Sequence, residues 1–218
     1  SGELIWAAVL IQIKTVLDNA DGQLARASGM TSETGRYLDT EGDFVVNAAL
    51  FAGLGASTGQ WVLALLAFAV FTLLLSVDFN WEYLYRTERG EAFRAAPDSS
   101  RENAVVLRGL QRFYEIIFKP QDLSIRRVSE ARFAALYARY PNEAARAAAR
   151  LAYHDADSLL VLANLELSTQ LLILGICLVL GASAFFMWFV LACGATVILL
   201  QLRREARAKA VLRGPMQS

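Results

Sequence analysis

Four aspartates near the N-terminus have types and spacing that can do chemistry. They stand as Asp18-x-x-Asp21-Gly22-x-x-Ala25-Arg26, then eight residues, then Gly35-x-x-x-Asp39-x-x-x-Asp43. Residues three or four apart on a helix share one face, so Asp18 with Asp21, and Asp39 with Asp43, each present two carboxylates in one direction. Two such pairs can close on divalent cations. The acids lie between long apolar stretches, and charge at membrane depth is costly enough that it usually marks function.

Positioning those acids falls to membrane spans. Hydrophobic residues make up 56% of the chain and the formal net charge is +0, too apolar for an ordinary soluble domain and without the basic excess of a nucleic-acid binder. The apolar stretches predict five spans, at residues 3 to 17, 44 to 59, 61 to 78, 159 to 180 and 183 to 202. Gly53, Gly55, Ser57, Thr58, Gly59 and Gln60 mark a turn between the second and third, and Gly181, Ala182 and Ser183 one between the fourth and fifth. Cys177 and Cys193 have no metal-ligand spacing and read as packing thiols. Arg26 and Arg36 follow the first span, Arg86 and Arg89 the third, and Arg203, Arg204, Arg207, Lys209 and Arg213 the fifth, whereas the two short turns carry no Lys or Arg. The excess of basic residues puts those three segments, and the acids with them, on the cytoplasmic side.

The aspartate pattern resembles the signature of the CDP-alcohol phosphotransferase family of integral-membrane enzymes, D-x2-D-G-x2-A-R-x8-G-x3-D-x3-D, at all eight specified positions. The resemblance implies an all-α, polytopic transmembrane bundle of six helices, of which five spans are visible here. The signature runs from the end of family helix two into helix three, so family helix one is expected to lie outside this sequence. The first span agrees with a shortened start, since about 15 residues make roughly 22 Å of helix against a hydrocarbon core of about 30 Å. The resemblance also implies Asp18, Asp21 and Asp39 as metal ligands, and Asp43 as the base on the attacking alcohol that also reaches the second metal. Gly22, Ala25, Arg26 and Gly35, with Asp18 and Asp21, match positions that line the CDP pocket. The implied cofactor is Mg²⁺ or Mn²⁺ in a two-metal site, since hard oxygen ligands suit these ions. Such a pair neutralises a pyrophosphate and stabilises the leaving nucleotide.

The expected reaction moves a substituted phosphate from a CDP-linked lipid donor, CDP-diacylglycerol, to the hydroxyl of a small polar alcohol, releasing CMP in phospholipid biosynthesis. The rival within the family is a CDP-linked small alcohol acting on a lipid acceptor. From another class, a divalent-cation transporter or channel explains the acids but not Gly22, Ala25, Arg26 and Gly35 at fixed spacing. Expected partners are the donor, the acceptor and membrane lipids, with a homodimer as one possible assembly and no nucleic acid.

Three units are expected: 1–78 with the motif, a cytoplasmic helical insertion at 79–158, and a hairpin with a basic tail at 159–218. Within the insertion, apolar positions recur at helical spacing from Arg101 to Phe118 and from Asp122 to Tyr140, and Pro120 and Pro141 punctuate them. A third helix is expected to start at Pro141-Asn142-Glu143 and run into the span at 159. The amphipathic faces place this insertion against the active-site mouth or the headgroup layer, or make it a subdomain packed on the core. Arg86, Arg89 and Arg94 are read as positive-inside residues or acceptor contacts. Glu166, with Asn164 and Thr169, is read as an acceptor contact or a structural group. His154, beside Asp155 and Asp157, is expected at the surface.

Overall fold

The computed structural model of the chain describes residues 2–29, 32–92, 103–138, 140 and 142–214. Among the described residues the regular structure is entirely helical: α1 (Gly2–Ser28), α2 (Glu33–Thr58), α3 (Trp61–Glu88), α4 (Ala104–Ile117), α5 (Lys119–Tyr137), α6 (Glu143–Tyr153), α7 (Ala156–Ala163), α8 (Leu167–Val179) and α9 (Ser183–Arg213). The all-α, polytopic bundle is as expected. Three stretches, Trp61–Glu88, Glu143–Val179 and Ser183–Arg213, are long and apolar enough to cross a membrane. The first two expected spans fall short of that apolarity because α1 carries Lys14, Asp18 and Asp21 and α2 carries Asp39, Glu41 and Asp43 within the helices themselves.

Helix α1 packs along α8, α2 along α3, and α9 against α3 and then α6. The core of the bundle interleaves Phe51 of α2, Phe71 and Leu74 of α3, Leu171 and Leu174 of α8, and Phe186, Met187 and Val190 of α9. Outward, Trp6, Val62, Leu65, Trp188 and Ile198 are exposed, the apolar coat that lipid requires. With lipid outside, close packing holds such helices together, so small residues matter where backbones approach. Gly55 is one: a Cβ there would stand 2.8 Å from Trp61 Cε3. Gly53 and Gly55 are therefore helical, and the expected broad turn shrinks to Gly59, at φ 71°, and Gln60.

The expected span at 159–180 is broken. Helix α7 ends at Ala163, where Asn164 Nδ2 donates back to the Leu160 carbonyl (2.7 Å), and α8 restarts after Glu166 at its N-cap. The helix expected to run from 143 into that span is likewise interrupted at His154–Asp155, because Asp155 caps α7 by accepting from Ser158 N (3.0 Å) and Ser158 Oγ (2.8 Å).

The first ten residues of the expected insertion, 79–88, continue α3. Asn103 caps α4, and Pro120 sits in the first turn of α5, where its missing N–H costs nothing. Asn142 caps α6, while Pro141 lies outside the described residues, as does Arg94. This region has its own core, in which Phe133, Ala149 and Tyr153 close on Ala208 and Leu212 of α9. His154, expected at the surface, is instead 2% exposed, with its Nδ1 2.9 Å from Arg204 Nη2.

Candidate active site

The two halves of the aspartate motif sit on different helices that pack against different neighbours. Gln12 Nε2 ties α1 to α8 by donating to the Leu171 carbonyl (3.0 Å). Helix α2 starts on a Ser32 cap whose Oγ accepts from Gly35 N (2.9 Å). A Cβ at Gly35 would come 2.8 Å from that oxygen, so this motif glycine keeps the cap open. From there Asp39, Asp43 and Asn47 follow at one-turn intervals.

Lys14 joins the halves. One turn before Asp18 on α1, its ammonium pairs with Asp18 Oδ2 and donates to Asp43 Oδ1 of α2. Carboxylates from both helices thus already close on one positive charge, and an all-oxygen donor set of this kind fits Mg²⁺ or Mn²⁺. Asp39 stands in the same field. Its carboxyl is pushed above the ordinary range by the protein packed around it and by the charges of Asp43, Asp18 and, more weakly, Asp21, with Lys14 opposing. Asp18 and Asp21 are exposed, Asp43 is half-buried, and Gly22 and Ala25 lie half-buried on α1. The side chain of Arg26 lies outside the described residues.

Beside Asp39 and Asp43 opens a cavity of about 580 Å³. Its α2 wall carries Arg36, Asp39, Asp43 and Asn47; its α3 wall Leu75, Ser76 and Phe79; and the corner between α4 and α5 supplies Tyr114, Phe118 and Asp122. Asp122 is 6% exposed and accepts from Asn80 Nδ2 (2.7 Å) and Tyr114 Oη (2.5 Å). Burial and that bond push the Tyr114 phenol up, which keeps it a donor. Arg126 Nε closes the chain by donating to Asn80 Oδ1 (2.6 Å). The insertion therefore reaches the site.

The sequence's other candidates have different partners. Arg86 pairs with Glu82 (2.8 Å) one turn away. Arg89 lies over the Tyr85 ring and donates to the carbonyls of Tyr85, Leu151 and His154, which ties α3 to α6. Glu166 is at the break before α8 and does not line the cavity, although its neighbour Leu167 does. A second group, Glu88, Glu130 and His154, also brings ligand-type atoms together. There Arg150 reaches Glu88 (2.6 Å) and Glu130 (2.8 Å), so a side chain already supplies the positive charge.

The family comparison falls on the aspartate-bearing end. Residues 1–90 match the CDP-alcohol phosphatidyltransferase family model. The phosphatidylinositol phosphate synthase of Streptomyces avermitilis is similar, 38% identical over 52 residues, a stretch that covers 24% of this chain and 21% of that relative. The chain thus matches about a fifth of that relative's length, and no solved structure matches it. The phosphatidyltransferase match ends as α3 does, so Tyr114, Phe118 and Asp122 lie beyond it.

Sequence reading missed Lys14, Asn47 and Asp122. A signal existed for the first two: Lys14 interrupts an apolar run one turn before Asp18, and Asn47 continues the Asp39–Asp43 face. Nothing local marked Asp122, whose place depends on how the insertion folds back.

Proposed function

We propose that this chain is a divalent-metal-dependent phosphatidyltransferase that transfers the phosphatidyl group of CDP-diacylglycerol to a small polar alcohol. The observation that carries the reading is the convergence of Asp18 and Asp43, from the two halves of the motif, on a single positive charge. Asp18, Asp21 and Asp39, with Asp43 at their edge, would hold Mg²⁺ or Mn²⁺. When bound, the ions offset the pyrophosphate charge and stabilise the departing CMP.

The protein's own residues do the rest. Asp43 accepts the acceptor's hydroxyl proton as the alcohol oxygen bonds to the phosphorus that bears diacylglycerol, and the bond from that phosphorus to the CMP oxygen breaks. Lys14 holds Asp43 by Oδ1 alone, and an ammonium there lowers the carboxylate's proton affinity, so Asp43 is the stronger base once Lys14 lets go. Gly22, Ala25, Arg26 and Gly35 are assigned to the CDP moiety, with Arg26 a phosphate partner. The site faces the cytoplasm, with the donor entering from the bilayer and the acceptor from water.

The test is release of CMP from CDP-diacylglycerol by the purified chain with Mn²⁺, using inositol phosphate, glycerol phosphate and serine as acceptors. Acceptor-dependent CMP is expected with one of them. Release of CMP only from a CDP-linked small alcohol, with a diacylglycerol acceptor, would reverse the roles of the substrates.

A further inference from the structure

One signature of aspartates serves many acceptor alcohols only if the choice of alcohol is made by residues outside it. The cavity beside Asp43 has such residues. Of the positions assigned to the CDP moiety, Asp18, Asp21, Gly22, Ala25 and Gly35 are not in its lining, which runs from Arg36 on α2 to the insertion.

Two polar groups mark its interior. Asn47 is 2% exposed, one turn beyond Asp43, and its Oδ1 has no hydrogen-bond partner. Buried amide oxygens are normally satisfied, and this one, on a residue that lines the cavity, is left without a donor from the protein, which suits it to a ligand's donor. Asp122 faces the same space from α5. Its two oxygens each accept one hydrogen bond from the protein and keep lone pairs for another. Both groups therefore look for donors. The carboxylate's charge is already offset by hydrogen bonds and by Arg126 behind Asn80, which suits neutral hydroxyls better than a second cation. The neighbouring Tyr114 and Phe118 rings stack at 26° and 5.7 Å, a flat apolar boundary for the carbon skeleton between the hydroxyls.

We propose that α2 and the α4–α5 corner together form the acceptor subsite, which takes a polyhydroxy alcohol. Asn47 Oδ1 accepts from one hydroxyl, Asp122 accepts from another, and the reacting hydroxyl lies toward Asp43. Phe118 bounds the size of the alcohol. This rests on the phosphatidyl-transfer reading, and makes the α4–α5 part of the insertion, which lies outside the family match, the element that sets acceptor choice.

The experiment measures CMP release by the full chain in lipid nanodiscs with Mn²⁺ and CDP-diacylglycerol, across free inositol, inositol phosphate, glycerol phosphate and serine. Failure of the wild type to release CMP with any of them defeats the reaction reading. Given activity, Asn47→Leu, which keeps the size and loses the amide, is expected to raise the acceptor KM about tenfold while the donor KM stays within about twofold. Phe118→Ala is expected to change the rank order of acceptors in favour of bulkier ones, and it decides the matter if Asn47→Leu fails to fold. A rise in donor KM with the acceptor KM unchanged would give the cavity to the lipid instead. Unchanged KM values and an unchanged rank order would remove it from the reaction.

Discussion

The aspartate-bearing helices and the insertion handle charge in opposite ways. In α1 and α2, Asp18 and Asp43 share the single ammonium of Lys14 and Asp39 stands in the field of Asp43, Asp18 and Asp21, more negative charge than that ammonium can neutralise. Where the insertion packs on α3 and α9, acids are matched by arginines: Glu88 and Glu130 with Arg150, Glu205 with Arg132, Asp155 and Asp157 with Arg207. Matched pairs of this kind fix one helix against another, as when Arg207 holds the start of α7 to α9. An unmatched cluster leaves negative charge that an external cation would offset. The difference separates a binding centre from scaffolding better than the bare presence of acidic residues does.

The harshest way to break the comparison is to remove one carboxylate at a time from the unmatched cluster. Asp43→Asn is expected to lower turnover by about 10²–10⁴-fold, the range for loss of a general base, with metal-dependent donor binding retained. Asp18→Asn, Asp21→Asn and Asp39→Asn are expected to weaken Mn²⁺ and donor binding together. Loss of donor binding in Asp43→Asn would make Asp43 chiefly a ligand, and unaltered cation dependence in the other three would defeat the metal assignment. In the matched region, Glu130→Gln removes a partner of Arg150 and is expected to leave Mn²⁺ affinity as it was. A drop there would move the metal to the Glu88–Glu130–His154 group.

A smaller effect sharpens the same contrast. Lys14 is the cation inside the unmatched cluster, so it competes with any ion that arrives. Lys14→Gln is predicted to raise Mn²⁺ affinity about tenfold, since a nearby like charge is worth a kcal/mol or more even when partly screened. Titration of the free ion by electron paramagnetic resonance reads this without turnover. Weaker binding in Lys14→Gln would mean instead that Lys14 holds the two halves of the motif together.

Local chemistry made much of this molecule legible. The helical character of α4 to α6 follows from apolar periodicity and the caps at Asn103 and Asn142, and the motif is visible because its spacing is fixed by helical turns. What stayed hidden depends on long-range packing. Gly53 and Gly55 look like turn formers, but Gly55 is needed where Trp61 crosses close to α2. His154 looks like a surface residue beside two acids, yet those acids are held by arginines of α9 and the ring beneath them is enclosed. Asp122 is held at the cavity by Tyr114 and by Asn80, 42 positions away.

The last prediction concerns the side of the membrane and is expected to leave turnover unchanged. Orientation rests on a count of basic residues, but the structure commits several of them: Arg204 is 1% exposed over the Trp81 ring, and Arg203 and Arg207 pair with Asp157. Insertion responds to the chain's basic residues near span ends as it emerges, before such pairs form, and the turns at Gly59 and Gly181 have none to offer. Ser57, exposed at the far end of α2, and Ser124, exposed on α5, therefore belong on opposite sides. Both native thiols, Cys177 and Cys193, are buried, so background labelling should be low. With an impermeant maleimide on intact cells, Ser57→Cys is expected to react and Ser124→Cys to react only after lysis. The opposite pattern would turn the acidic cluster outward, away from any cytoplasmic supply of a CDP-linked donor, and the insertion with it.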